Sequence, residues 1–169
     1  MTNNHQSETG EVIAAIMTKV EDVAYCAGGR GYVVGGVVRD ILSRGDSSAL
    51  FQDVDIVIEG DAREIGRIVA PQIGGRLELF DRFLTAKIIR PHFPFEIDLV
   101  SARSERYERS GDLPTVTRGS LSDDLRRRDF TINAMALPLS VIVEYLRGEI
   151  FHDDMVGEVL DPLGGRADP

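Results

Sequence analysis

The chain has 169 residues, 43% of them hydrophobic, and a net charge of −9 with an isoelectric point near 4.8. That length suits one domain with a real core, and the acidic balance excludes a broad nucleic-acid surface, whose affinity comes from neutralising phosphates. No apolar run approaches the roughly 20 residues of a membrane span, the polar start MTNNHQSETG lacks a signal-peptide pattern, and the single cysteine, Cys26, excludes an internal disulfide, so a reducing cytoplasm is the expected setting.

Residues 1–10 read as a frayed tail. From Glu11 a helical stripe runs through Val12, Ile13, Ile16, Val20, Val23 and Ala24 and stops at the glycines of AGGRG. YVVGG is a short strand entering a glycine turn, VVRDIL resumes as a helix, and the strand of FQDVDIVIEG follows a polar loop. Asp61 is a good N-cap for a helix over AREIGRIVAPQIGG. Three β segments come next, RLELF, LTAKIIR and FEIDLVSA, joined by a DR turn and by PHFP. Arg103 to Gly119 is polar and reads as a long mobile loop, with short helices expected around LSDDLRRRD and TINAMAL. A segment VIVEYLRGEIFHDDMVGEV then leads to DPLGG. This order predicts an α/β (α+β) domain, a mixed sheet with helices packed mainly on one face.

Three stretches carry possible chemistry. In GGVVRD, Gly35 and Gly36 join a strand to a helix, a turn that lets backbone N–H groups approach an anion while the helix terminus favours phosphate. The same glycines describe a plain tight turn, no Gly-Lys-Ser/Thr follows to make a Walker loop, and Arg39 with Asp40 also reads as an exposed ion pair. Asp53 and Asp55 share one face of their strand, with Cα atoms about 7 Å apart. Two such carboxylates repel each other and resist burial, which suits a Mg²⁺ platform of hard oxygen ligands, although D-x-D pairs are also common on loops. Asp98 shares a face with Glu96 and Val100 and completes a three-carboxylate cluster if its strand neighbours the first. In RRRDFTINAMA, the guanidinium forks of Arg126, Arg127 and Arg128 suit phosphate and ribose hydroxyls. From charge alone they read as a solvated helix end, with Asp123 and Asp124 pairing one turn later. His5, His92 and His152 show no metal-ligand spacing and are assigned no chemistry; Phe80, Phe83, Phe93 and Phe95 are expected in the core rather than as a base-stacking platform.

GGVVRD, the DVD strand, RRRDFTINAMA and DPLGG, in that order and spacing from about Tyr32 to Gly165, resemble the class II RNA nucleotidyltransferases: CCA-adding enzymes, their CC- and A-adding relatives, and bacterial poly(A) polymerases. The resemblance implies a polymerase-β-like catalytic head that transfers a nucleotide from CTP or ATP, without a template and with Mg²⁺, to a tRNA or other RNA 3′ end. It implies metal ligands at Asp53 and Asp55, with Asp98 as a further acidic residue of the catalytic set. It implies nucleotide contacts at Gly35, Gly36, Arg39 and Arg128, and puts Asp129 and Asn133 toward the ribose. Asp161, Gly164 and Gly165 match a hinge motif, which divides the chain into a tail over 1–10, a head over 11–160 and the start of a hinge over 161–169. The stretch SERYERSGDLPTVTRGSLSDDL resembles the CC- or A-adding branch. Family members continue into helical neck, body and tail domains, where a Glu-Asp-x-x-Arg motif chooses the base, whereas this chain ends at Pro169. Base choice and most tRNA binding are therefore expected outside it. The alternative expectation is a catalytically incomplete nucleotide- or protein-binding module, or half of a split enzyme that needs a neck and body partner chain.

Overall fold

The structure is a computed structural model and describes residues 3–44, 53–91, 96–106 and 115–167. Helix α1 (Asn3–Cys26) buries Ile13, Ala14, Ile16, Met17, Val20 and Ala24, the face that their spacing defines. It begins at Asn3 and so takes in most of the stretch expected to fray. Once a packed segment has nucleated a helix, each added residue gains a hydrogen bond at little further cost.

Strand β1 (Gly31–Val34) runs through Gly35 into helix α2 (Gly36–Arg44), and β2 (Asp53–Ile58) leads to α3 (Ala62–Gln72). Asp61 caps α3 as expected, accepting a bond of 3.1 Å from the Arg63 backbone N–H. The buried Ser101 hydroxyl accepts from the Ala62 N–H at 3.0 Å, so two donors left over by the helix start are satisfied. Strands β3 (Arg76–Phe80), β4 (Thr85–Ile89) and β5 (Glu96–Ser101) follow. In place of the expected DR turn there is a 3₁₀ turn, Asp81–Phe83, closed by Leu84 in the left-handed region at φ 53°. The PHFP connection, with His92, Phe93 and Phe95, lies outside the described residues.

The expected loop after Arg103 is instead an antiparallel pair, β6 (Arg103–Arg106) with β7 (Thr115–Arg118). Neither strand has an apolar face, so no alternation announces them. They are tied by the Ser104 and Thr117 hydroxyls 2.9 Å apart and by Arg118 bonding to Asp61. Helix α4 (Leu121–Arg126) forms as expected and is opened by a capping box between Ser120 and Asp123. TINAMAL is not a helix. It divides into a 3₁₀ turn, Thr131–Asn133, and strand β8 (Ala136–Pro138), because pairing with β1 outweighs the helix preference of its alanines and methionine. Helices α5 (Leu139–Leu146) and α6 (His152–Gly157) follow, and His152 opens α6 with Nε2 at 3.0 Å from the Ile41 carbonyl.

The main sheet has the order β3-β4-β5-β2-β1-β8, in which β2 and β5 are parallel and the other neighbours antiparallel. One face presents Val33, Val54, Ile56, Ile58, Ile88, Ile97 and Leu99 to the main core, closed by α1, α3 and α5. On the other face Tyr32, Val34, Val57 and Ala136 cluster beneath Leu121 and Leu125 of α4. The expected mixed sheet with its helices mainly on one face is what forms.

Candidate active site

Alternation along β2 and β5 puts every second residue on the α4 side of the sheet, where Asp55 and Asp98 are register partners. Asp98 faces Lys87 across β4 in turn, so a charged row Asp55–Asp98–Lys87 crosses three strands. A parallel row, Val57–Val100–Thr85–Phe80, lies one pleat further along. Both rows floor an open cleft of about 430 Å³ that Phe83, Arg103, Arg127 and Arg128 also line. Burial pushes the Asp98 carboxyl above its usual range; Lys87, with Nζ 3.5 Å from Oδ2, offsets part of this, and the charge of Asp55 adds to it. Lys87 also donates to Glu96, whose hydrogen bond is the main reason its ammonium is pushed up.

Asp53 begins β2 and pairs in register with Glu96, but its side chain lies outside the described residues. The expected cluster is therefore seen in part: β5 does neighbour β2, yet Asp98 is engaged by Lys87, and among the described residues no three His, Cys, Asp or Glu side chains form a metal-holding group. The chemistry of the donors nonetheless suits Mg²⁺. Asp55 presents an exposed carboxylate at the cleft, Asp53 precedes it by one strand period, and the mutual repulsion felt at Asp98 calls for added positive charge.

The glycine turn stands beside this row, since β1 pairs with β2 up to Val33↔Ile56 and Gly35 follows immediately. Gly35 has φ +80°, where side-chain-bearing residues are strained. A Cβ there would meet Arg128 Nη1 at 3.4 Å, and one on Gly36 would meet Arg39 Nη2 at 3.4 Å. Arg39 uses Nε on Asp40 Oδ1 at 2.9 Å, the expected ion pair, and Nη1 on Asn133 Oδ1 at 3.2 Å. The fold thus brings Gly35, Gly36, Arg39, Arg128 and Asn133 together. Asp129 is exposed and does not line the cleft.

Asp124 is fully buried and pairs with Arg127 and Arg128 as the spacing predicts. Asp161 accepts from the N–H groups of Gly165 at 2.8 Å and Arg166 at 3.0 Å. This seats Gly165 so close to the Thr131–Asn133 turn that a Cβ would lie 2.2 Å from the Thr131 carbonyl oxygen. Cys26 ends α1 and is exposed.

Phe80 and Phe83 correct an expectation: they are 42% and 50% exposed and line the cleft, not the core. Lys87 and Arg103 are cleft residues that no motif announced. For Lys87 a signal existed, since Ala86 and Ile88 point to the core and leave their neighbours on the opposite face.

A mixed sheet whose paired strand carboxylates adjoin a glycine turn and an arginine cluster is the frame of a nucleotidyl-transferring head. A family model described as the poly A polymerase head domain matches residues 31–168, and the chain belongs to that family. It is 40% identical over 137 residues to an A-adding tRNA nucleotidyltransferase of Halalkalibacterium halodurans, covering 81% of this chain and 28% of the relative. It is 36% identical over 136 residues to a CC-adding tRNA nucleotidyltransferase of Deinococcus radiodurans, covering 80% and 32%. Among solved structures, a CCA-adding enzyme in its apo form II superposes with a TM-score of 0.70 at 32% identity, covering 90% of this chain and 32% of that one. A tRNA nucleotidyltransferase complexed with a primer tRNA and an incoming ATP analog gives 0.61 at 35% identity, covering 88% and 36%. The chain spans about a third or less of these relatives.

Proposed function

We propose that this chain is the catalytic head of a tRNA nucleotidyltransferase, transferring a nucleotide from CTP or ATP to an RNA 3′ end with Mg²⁺. The observation that carries the reading is that Arg128, which lines the cleft with Asp55 and Asp98, reaches the Gly35–Gly36 turn, where Arg39 bonds Asn133. In the reaction the RNA 3′ oxygen bonds to the α-phosphorus, the bond from that phosphorus to the bridging oxygen breaks, and pyrophosphate leaves with the electron pair while the hydroxyl proton is lost. The glycine turn admits the triphosphate close to backbone N–H groups, and Arg128 faces it with a planar fork. Arg39, fixed by Asp40 and Asn133, orients the sugar and phosphates from the α2 side. Mg²⁺ held by Asp53 and Asp55 would acidify the attacking hydroxyl and balance charge on the leaving pyrophosphate. Positioning and electrostatics supply the rest.

The reading places residues 161–169 at the start of a hinge and sets the protein in the cytoplasm, in keeping with a single exposed cysteine. The test is transfer of labelled CMP or AMP to tRNAs ending at each 3′ truncation, with Asp53→Ala beside the parent. Incorporation that the variant loses supports the reading, and the preferred nucleotide names the branch. A parent that shows neither incorporation nor Mg²⁺-dependent nucleotide binding overturns it in favour of an interaction module.

A further inference from the structure

We propose that Phe80 and Phe83 form a stacking platform for the terminal base of the RNA acceptor. The inference rests on the reading above, in which the glycine turn takes the triphosphate.

Its basis is position. In the sheet order the carboxylate strands β2 and β5 lie between β1, which carries the glycine turn, and the β4–β3 edge, which carries the two phenylalanines. In-line displacement puts the attacking oxygen and the leaving pyrophosphate on opposite sides of the phosphorus. With the triphosphate on the β1 side of the carboxylates, the acceptor end approaches from the β4–β3 side. The surfaces it meets there are Thr85, Lys87, Phe80 and Phe83.

The aromatic site is also built. The Phe83 carbonyl accepts from Thr85 Oγ1 at 3.1 Å and from Arg103 Nη1 at 3.2 Å. Leu84, the one non-glycine residue at positive φ among those described, closes the turn. Arg82 sits over the Phe83 ring at 5.8 Å from its centroid, and the ring is still half exposed. The other strongly exposed aromatics among the described residues, Tyr25, Phe130 and Phe151, do not line the cleft. An aromatic face in solvent is costly to apolar surface area, and nucleobases stack on such faces whatever their identity. That sequence tolerance suits an end that must be extended whichever base it carries.

The test is equilibrium binding by the whole chain of an acceptor-stem RNA ending in a base, of the same RNA with an abasic last nucleotide, and of ATP and CTP with Mg²⁺. Phe83→Ala and Phe80→Ala are compared with the parent and with Phe83→Trp. Alanine at Phe83 is expected to weaken the normal RNA about tenfold, to change abasic binding less than twofold, and to leave ATP and CTP within about twofold. Phe83→Trp is expected to restore RNA affinity. Normal RNA bound equally by Phe83→Ala and the parent, or lost equally with the abasic form, overturns the platform. A loss confined to ATP or CTP overturns the acceptor assignment. A parent that binds neither nucleotide nor RNA defeats the functional reading itself, and the platform with it.

Discussion

The carboxylate of Asp124, fully buried, holds Arg128 through Oδ2 at 3.1 Å while its Oδ1 holds Arg127 at 2.7 Å. One acid on a short helix thereby aims two guanidinium groups into the cleft, and Arg128 reaches the glycine turn. Asp124→Asn keeps the shape and removes the charge. Breaking a buried pair costs up to 3–5 kcal/mol, and because both arginines are partly solvated the expected loss here is about 3 kcal/mol, read from urea unfolding. Nucleotide affinity should fall as well, and should fall no further when Asp124→Asn is combined with Arg128→Ala. Independent, additive losses would show that Asp124 does not act through Arg128.

Asp55 is exposed on its strand, on the face turned away from the main core. Asp55→Asn should therefore abolish nucleotide transfer while leaving the unfolding midpoint within about 0.5 kcal/mol of the parent. Activity that survives with Mg²⁺ present would remove Asp55 from the catalytic set.

Asp61 is held down to about 2 by its hydrogen bonds to Arg63, with Arg118 adding its charge. A carboxyl lowered on folding contributes stability above its unfolded value of 3.8 and loses that contribution as pH falls through about 2. Asp61→Asn keeps an N-cap and drops both ion pairs, so it should cost about 1–2 kcal/mol near neutrality. In unfolding measured against pH, the gap between parent and variant should close as pH drops from 3.8 to about 2. A gap constant across that range would mean that the charge contributes nothing.

Gly165→Ala puts a methyl group 2.2 Å from the Thr131 carbonyl oxygen, a backbone atom that cannot turn aside. The expected cost is about 1–3 kcal/mol, with nucleotide affinity reduced because Thr131 begins the turn that holds Asn133 against Arg39. Gly164→Ala has open space but a φ of +72°, so it should cost about 1 kcal/mol with little change in nucleotide affinity. Equal nucleotide affinity in both variants and the parent would break the link between this segment and the turn.

Much of the fold was legible because burial writes itself into periodicity. The α1 stripe, the β2 run and the Asp61 cap each combine a local signal with the fate that signal implies. The β6–β7 pair was not legible, since RSER and TVTR carry no apolar alternation to read. TINAMAL was misread for the opposite reason: its local preference is helical, and the partner that overrules it, β1, lies a hundred residues or so upstream in the chain. Within the site, the residue types of Asp55, Asp98 and Arg128 identified themselves, but Arg39 meets Asn133 across 94 positions, and no spacing rule spans that distance. Phe80 and Phe83 depart from the expected core because a hydrophobic side chain does not state which side of a sheet is dry.

The division of the central strands into a face toward α1, α3 and α5 and a face toward the cleft has an evolutionary consequence. Val54, Ile56, Ile97 and Leu99 answer to packing, while Asp55, Asp98 and Val100 answer to whatever enters the cleft. Point substitutions on that face can thus change the cleft without drawing on the residues that keep the chain folded. Insertions cannot. A single added residue in β2 would turn Ile56 outward and Asp55 inward, which exchanges the two sets of demands at once. Replacement can therefore alter the cleft and leave the core packed, whereas a change in the length of β2 or β5 cannot.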